Sequence, residues 1–220
     1  MAVTSNLRVI EATPLTKIVE LGTVVLQKKM SLEAFLVIVN AYPNLNLERE
    51  KNGKVTIMSP VKFGSGKKEL HFGIYLGNWW LNNGEIGEVF SSSTGIILKD
   101  TSFKSPDCGW ISEDRLAENP VDDENKDFLK VAPDFVVEIK SLSDSIKQLK
   151  NKMTNSWIKN GVRLGWLIDP YKERIYIYRP NQKVEEIKGF DGKTVNGEDV
   201  LKGFKLNLEK MKMKNQKRKL

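Results

Sequence analysis

Glu138 and Lys140 stand two residues apart in APDFVVEIK, the most strand-like stretch of the chain. On an extended strand that spacing puts both side chains on one face, roughly 6.6 Å apart along it. Asp134 and Val136 share that face; Phe135, Val137 and Ile139 take the other. In a sheet covered on both sides an unpaired carboxylate would be costly. A carboxylate and an amine placed there make sense if something charged lies between or above them. A divalent cation and a phosphate would fit. The competing reading is an ion pair on a solvated face.

The second acid must come from one of two Pro-Asp pairs, Pro106-Asp107 or Pro133-Asp134. Asp134 lies four residues from Glu138, roughly 13 Å along the same strand. That is too far for one ion whose oxygen ligands sit at about 2.1 Å. Asp107 opens a preceding strand, and two neighbouring strands at about 4.8 Å would let the carboxylates converge. We therefore expect Asp107 to act with Glu138, and Asp134 to be a strand-entry residue. Cys108 alternates to the face opposite Asp107 and reads as a packed thiol.

The rest of the chain must hold these groups in place. Residues 1–30 show no clean period and read as an irregular lead-in. Ser31 is a candidate N-cap for a helix with the stripe Leu32, Phe35, Leu36 and Val39, ending before Pro43. LNLERE and KVTIMSP alternate about Lys51-Asn52-Gly53, a hairpin signal. KFGSGKK reads as a loop, followed by a helix from about Lys67 to Leu81 with Leu70, Ile74, Leu76, Trp80 and Leu81 at helical spacing. GEVFSSSTGIIL and the run after Pro106 are β-like, and residues 113–130 form a polar connector with room for a short helix. After the Glu138 strand, SLSDS caps a helix with Ile146, Leu149, Met153 and Trp157 inward, closed by Asn160-Gly161. VRLGWLID and RIYIYRP are two further strands, and residues 181–209 read as a loop and a final short strand. Strands on both sides of a helix imply an α/β domain with a mixed β-sheet flanked by helices. The five tryptophans fall within these elements and read as core.

Composition narrows the chemistry. One cysteine and one histidine, Cys108 and His71, exclude an internal disulfide and histidine- or cysteine-rich zinc sites. No apolar run is long enough to span a membrane, and the N-terminus lacks a signal-peptide layout; a reducing cytoplasm is the expected location. GxGxxG, P-loop and GxSxG patterns are absent from the sequence, and a glycosidase would leave Lys140 unexplained. The net charge of +7 is concentrated at the end, where residues 210–220 carry six positive charges and no acid. That basic tail, 209–220, is expected to be a solvated, frayed terminus.

Several blocks carry a family resemblance: LERE…GKVTIMSP, EVFSSSTGI, KSPDCGWISEDRL, APDFVVEIKSLSDSIKQLKNKM, NGVRLGWLIDP, IYRP and LKGFKLNL. In this order they resemble the Uma-two (Uma2) family of restriction endonucleases, within the PD-(D/E)XK nuclease superfamily. The match runs roughly from residue 30 to 208, making 31–208 the expected domain. What the resemblance implies is a restriction-endonuclease-like core, with an N-terminal helix and hairpin, that hydrolyses DNA phosphodiesters. Asp107 and Glu138 would bind Mg²⁺, with Mn²⁺ as substitute, and Lys140 would position the attacking water. Glu69, on the helix before the strands, is a possible supporting acid, with His71 as the alternative. Lys152 matches a basic position of the family and could contact phosphate. Relatives tend to have an acid where this chain has Ser91, and often lack the lysine two after the glutamate. DNA is the expected partner, and cutting a duplex favours a homodimer. The alternative is a catalytically silent nucleic-acid-binding or interaction module on the same fold.

Overall fold

The computed structural model describes residues 23–26, 28–124 and 126–213. The chain divides into two compact units, the first ending at Pro60 and the second beginning at Val61. The single expected domain 31–208 is thus crossed by a boundary between the hairpin and the helix that follows it.

In the first unit, β1 (Thr23–Val25), β2 (Asn46–Arg49) and β3 (Val55–Met58) are antiparallel, with β3 central. β1 corrects the expectation of an irregular 1–30 lead-in; three residues are too few to display a period of two. The remainder of that lead-in, residues 1–22, lies outside the described residues. Helix α1 (Leu32–Ala41) is capped by the Ser31 hydroxyl, which accepts from Ala34 N at 3.2 Å. Gly53 turns the hairpin at φ 85°, and a Cβ there would sit 2.7 Å from the Met30 carbonyl. Only glycine meets both demands.

The second unit is built on a six-stranded sheet. Its strands are β4 (Glu88–Ser91), β7 (Cys108–Ile111), β8 (Phe135–Ile139), β9 (Leu164–Asp169), β10 (Arg174–Tyr178) and β11 (Glu185–Lys188). They lie in the order β11-β10-β9-β8-β7-β4. Only β8 and β9 are parallel neighbours, so the sheet is mixed. β5 (Ile96–Ile97) and β6 (Phe103–Lys104) form a short antiparallel pair. α3 (Glu113–Glu118) is the short helix of the polar connector.

Both faces of the sheet are covered, which is why LGWLID reads as a continuous buried run. On one side Phe135, Val137, Ile139 and Trp166 meet Phe72 and Leu76 of α2 (Phe63–Asn82). On the other, Val136 and Leu167 meet Met153 and Trp157. These last two belong to the crossover between β8 and β9, made of α3's successor α4 (Ile146–Asn151) and a π-helical segment, Lys152–Ile158. The alternation expected for this stretch is therefore observed from Phe135 to Ile139.

Three boundaries differ from expectation. α2 begins at Phe63, so the Gly/Ser stretch expected to be a loop forms its first turn. Glycine at 64 lets the turn lie close to Met213, whose Cε would be 3.3 Å from a Cβ. Residues 181–209 hold three strands rather than one: β11, then the hairpin of β12 (Thr194–Gly197) and β13 (Leu201–Asn207). A register shift at Asn196/Gly197 and Gly203 at φ 80° interrupt the two-residue period there. Finally, the first part of the basic tail is docked. Leu208 and Met211 of a 3₁₀ turn (Leu208–Met211) are buried, and Lys212 pairs with Asp191 at 2.6 Å and Glu173 at 3.2 Å. Residues 214–220 lie outside the described residues.

Candidate active site

Cys108 of β7 pairs with Val137 of β8 in antiparallel register. Asp107 stands one residue before that pair and Glu138 one residue after it, so neighbouring strands bring the two acids side by side. Asp107 is anchored by backbone: its N–H donates to Val137 O at 3.1 Å, and its Oδ2 accepts from Ile139 N. Cys108 points the other way into the core, where burial pushes its thiol up to about 12.

Glu138 is 3% exposed. Its Oε1 accepts from the Trp157 indole N–H at 2.7 Å and lies 2.8 Å from the Lys152 ammonium. Lys152 also donates to Ser105 O at 2.9 Å, just before Asp107 in sequence. Lys152 and Trp157 are five residues apart. In an α-helix that spacing would separate them by about 140°. The π-helical segment closes i→i+5 bonds instead, so residue i stacks under residue i+5 and both side chains reach one carboxylate oxygen. Regular helical periodicity in the sequence carries no sign of this.

Burial holds the Asp107 carboxyl well above its ordinary value of 3.8, and the charges of Glu138 and Glu69 raise it further. The Ile139 N–H and Lys152 act in the opposite direction. Glu69, half-buried on α2, is itself raised, by burial first and then by Asp144. Asp144, expected only to cap a helix, accepts from Ser141 N at 2.7 Å and adds a fourth acid to the site's surroundings. The structure thus brings Glu69, Asp107, Glu138 and Lys152 together. His71 faces elsewhere, into a groove against residues 209–213; two residues from Glu69, it lies about 200° around the helix.

Lys140 is placed differently from the simple strand picture. β8 ends at Ile139, so alternation lapses at Lys140. Its ammonium donates to Ser141 O at 2.7 Å and lies 5.4 Å from the Tyr171 ring centroid. The lysine in contact with Glu138 is Lys152. Asp134, the rejected second acid, is a buried structural hub: it accepts from Ser112 N at 2.8 Å and pairs with Arg163 at 3.2 Å and Arg115 at 3.3 Å. Ser91 is exposed near the end of β4.

Among the described residues no three His, Cys, Asp or Glu side chains form a ready metal-binding group. Asp107 and Glu138 stand side by side, and two carboxylates would suit Mg²⁺, which keeps several waters and takes one or two carboxylates. The mutual repulsion that raises Asp107 is the charge a divalent cation would offset.

A family model described as "Putative restriction endonuclease", Uma2, matches residues 32–209. The chain belongs to the Uma2 family. Comparison with curated proteins gives no match. A crystal structure from Anabaena variabilis, described as a "putative nuclease belonging to DUF820", is similar in fold at a TM-score of 0.68 and 22% identity, covering 83% of this chain and 97% of that one. The Uma2 chain therefore has the restriction-endonuclease-like fold, a mixed sheet flanked by helices.

Two substitutions probe this Uma2 site. Asp107's folded-state pKa lies above its unfolded value, so its ionisation removes stability as pH rises from the unfolded value through the folded one. Asp107→Asn keeps an acceptor for Ile139 N and removes that loss. We expect a Tm above wild type at about pH 8 and a difference that fades as pH falls towards 3.8; no gain at the higher pH would contradict the assignment. Trp157→Phe keeps an aromatic ring but frees Glu138 Oε1 from its indole. Loss of such an orienting contact should weaken divalent-cation affinity by about 10–100-fold, measured calorimetrically. Unchanged affinity would leave Trp157 a packing residue.

Proposed function

We propose that this protein is a metal-dependent endonuclease that hydrolyses DNA phosphodiester bonds. The observation that carries this reading is the convergence of Asp107, Glu138 and Lys152 where β7 begins beside the end of β8, with Asp107 raised by burial and then by Glu138's charge. Asp107 and Glu138 would hold Mg²⁺, or Mn²⁺ in its place. The ion supplies charge against the scissile phosphate and lowers the pKa of a bound water. Trp157 fixes the orientation of the Glu138 carboxylate. Lys140, on the strand end beyond Glu138, would orient the attacking water, and Lys152 would offset charge building on the phosphate oxygens. Glu69 adds negative potential beside Asp107, favouring a cation at the pair. Attack in line would leave a 5′-phosphate and a 3′-hydroxyl. A homodimer would supply the two sites that duplex cleavage needs. A reducing cytoplasm suits the buried thiol of Cys108, and no helix among the described residues is long and apolar enough to cross a membrane.

One observation favours a second reading. The Lys152 ammonium already neutralises Glu138, and a carboxylate balanced this way needs no metal. That arrangement suits a catalytically silent nucleic-acid-binding module. Incubating the protein with supercoiled plasmid and with single-stranded DNA, in Mg²⁺, Mn²⁺ or chelator, separates the two. The nuclease reading expects nicking in metal alone; salt-sensitive binding without cleavage under any condition would establish the module instead.

A further inference from the structure

A groove of about 740 Å³ runs along α2 on the side of Lys67 and His71, walled opposite by residues 209–213. Four lysines line it, Lys67, Lys68, Lys210 and Lys212, against two carboxylates, Asp191 and Glu209. The carboxylates are engaged: Asp191 pairs with Lys212, and Glu209 accepts from Gly192 N at 2.8 Å. Lys68 is only 3% exposed and donates to the carbonyls of Lys210 and Lys212, fixing the far wall on the helix. Four ammonium groups against two carboxylates leave a surplus of lysine charge, with Lys210 and Lys67, whose ammonium lies 5.6 Å from the Phe63 ring centroid, on opposite walls. Tyr75 and Asn78 add an aromatic ring and an amide to the lining. Met213 also lines the groove. Helix α2 carries Glu69 as well, so the groove and the acidic site are mounted on one rigid element, two residues apart on different sides.

A surplus of lysine charge on opposite walls suits a polyanion rather than a small neutral ligand. We propose that this groove is a second nucleic-acid contact, holding the phosphodiester backbone of the bound strand away from the Asp107–Glu138 site through Lys67 and Lys210. The inference rests on the reading that the substrate is a polynucleotide, and it is tested without cleavage. Binding of a fluorescein-labelled 20-nucleotide DNA, single-stranded and duplex, is followed by anisotropy in chelator across a salt series. Two lost phosphate contacts should lower the slope of log affinity against log salt by about 1.4 for single strands and about 1.8 for duplex in Lys67→Ala/Lys210→Ala. The exposed pair Lys183→Ala/Lys188→Ala serves as a control for general charge and should retain the wild-type slope. In the unmutated protein, acetylation of Lys67 and Lys210 should fall when the DNA is added, a readout independent of how the variants fold. A wild-type slope in the groove variant, or equal loss in the control, overturns the proposal, as does unprotected acetylation at both lysines. Because chelator removes catalysis, a failed cleavage assay leaves this result intact.

Discussion

Glu138→Ala is expected to lower metal-dependent cleavage by on the order of 10³-fold, the scale for losing one group that stabilises transition-state charge. The substitution removes a proposed metal ligand and strands two partners. The Trp157 indole N–H loses its acceptor, and the half-buried Lys152 ammonium loses the Glu138 counter-charge. Stability is thus pulled both ways, since Glu138's charge also raises Asp107. Glu138→Gln, which keeps an oxygen acceptor for Trp157, separates the effects: it should be nearly as inactive as the alanine variant but closer to wild type in Tm. An active Glu138→Gln, folded and needing the same metal concentration, would remove Glu138 from the ligand set.

The largest effect on stability is expected away from the chemistry. Asp134→Ala should destabilise the protein by about 3–5 kcal/mol, the range for breaking a buried, hydrogen-bonded ion pair by deleting one partner. Asp134 is 1% exposed and joins the start of α3, through Ser112 N and Arg115, to the start of β9, through Arg163. Its backbone carbonyl accepts from Arg163 N at 2.9 Å and Leu164 N at 3.0 Å. Arg115 in turn donates to the carbonyls of Ala132, Pro133 and Gly161. Deleting the carboxylate leaves the Ser112 N–H and Arg115 guanidinium short of acceptors. Denaturant unfolding measures the cost; a loss below about 1 kcal/mol would mean that water replaces the carboxylate, as at an ordinary surface pair.

These two residues also show what the sequence made legible. The face shared by Asp134, Val136 and Glu138 followed from strand alternation, which depends only on the backbone and persists wherever the strand does. Placing Asp107 beside Glu138 needed one assumption, adjacency of two strands, and β7 and β8 are indeed neighbours. Asp134's separation from Glu138 followed from distance, but its role as a hub did not, because Arg115 and Arg163 come from elements whose docking no local pattern encodes. The ammonium next to Glu138 was harder still. The end of β8 releases Lys140 from alternation, while the π-helical segment carries Lys152 and Trp157 onto the carboxylate. Both depend on where regular structure stops, and propensity marks such boundaries poorly. The β12–β13 hairpin was concealed for the same reason, its two-residue period being broken by a register shift and a left-handed glycine.

The nuclease proposal requires Asp107 and Glu138 to form a divalent-cation site. Isothermal titration of Mn²⁺ into the wild-type protein and into Glu138→Ala tests that without substrate. A saturable binding event is expected in the wild type and should disappear in the variant. Equal binding by both proteins, or no saturable binding by the wild type, would contradict it.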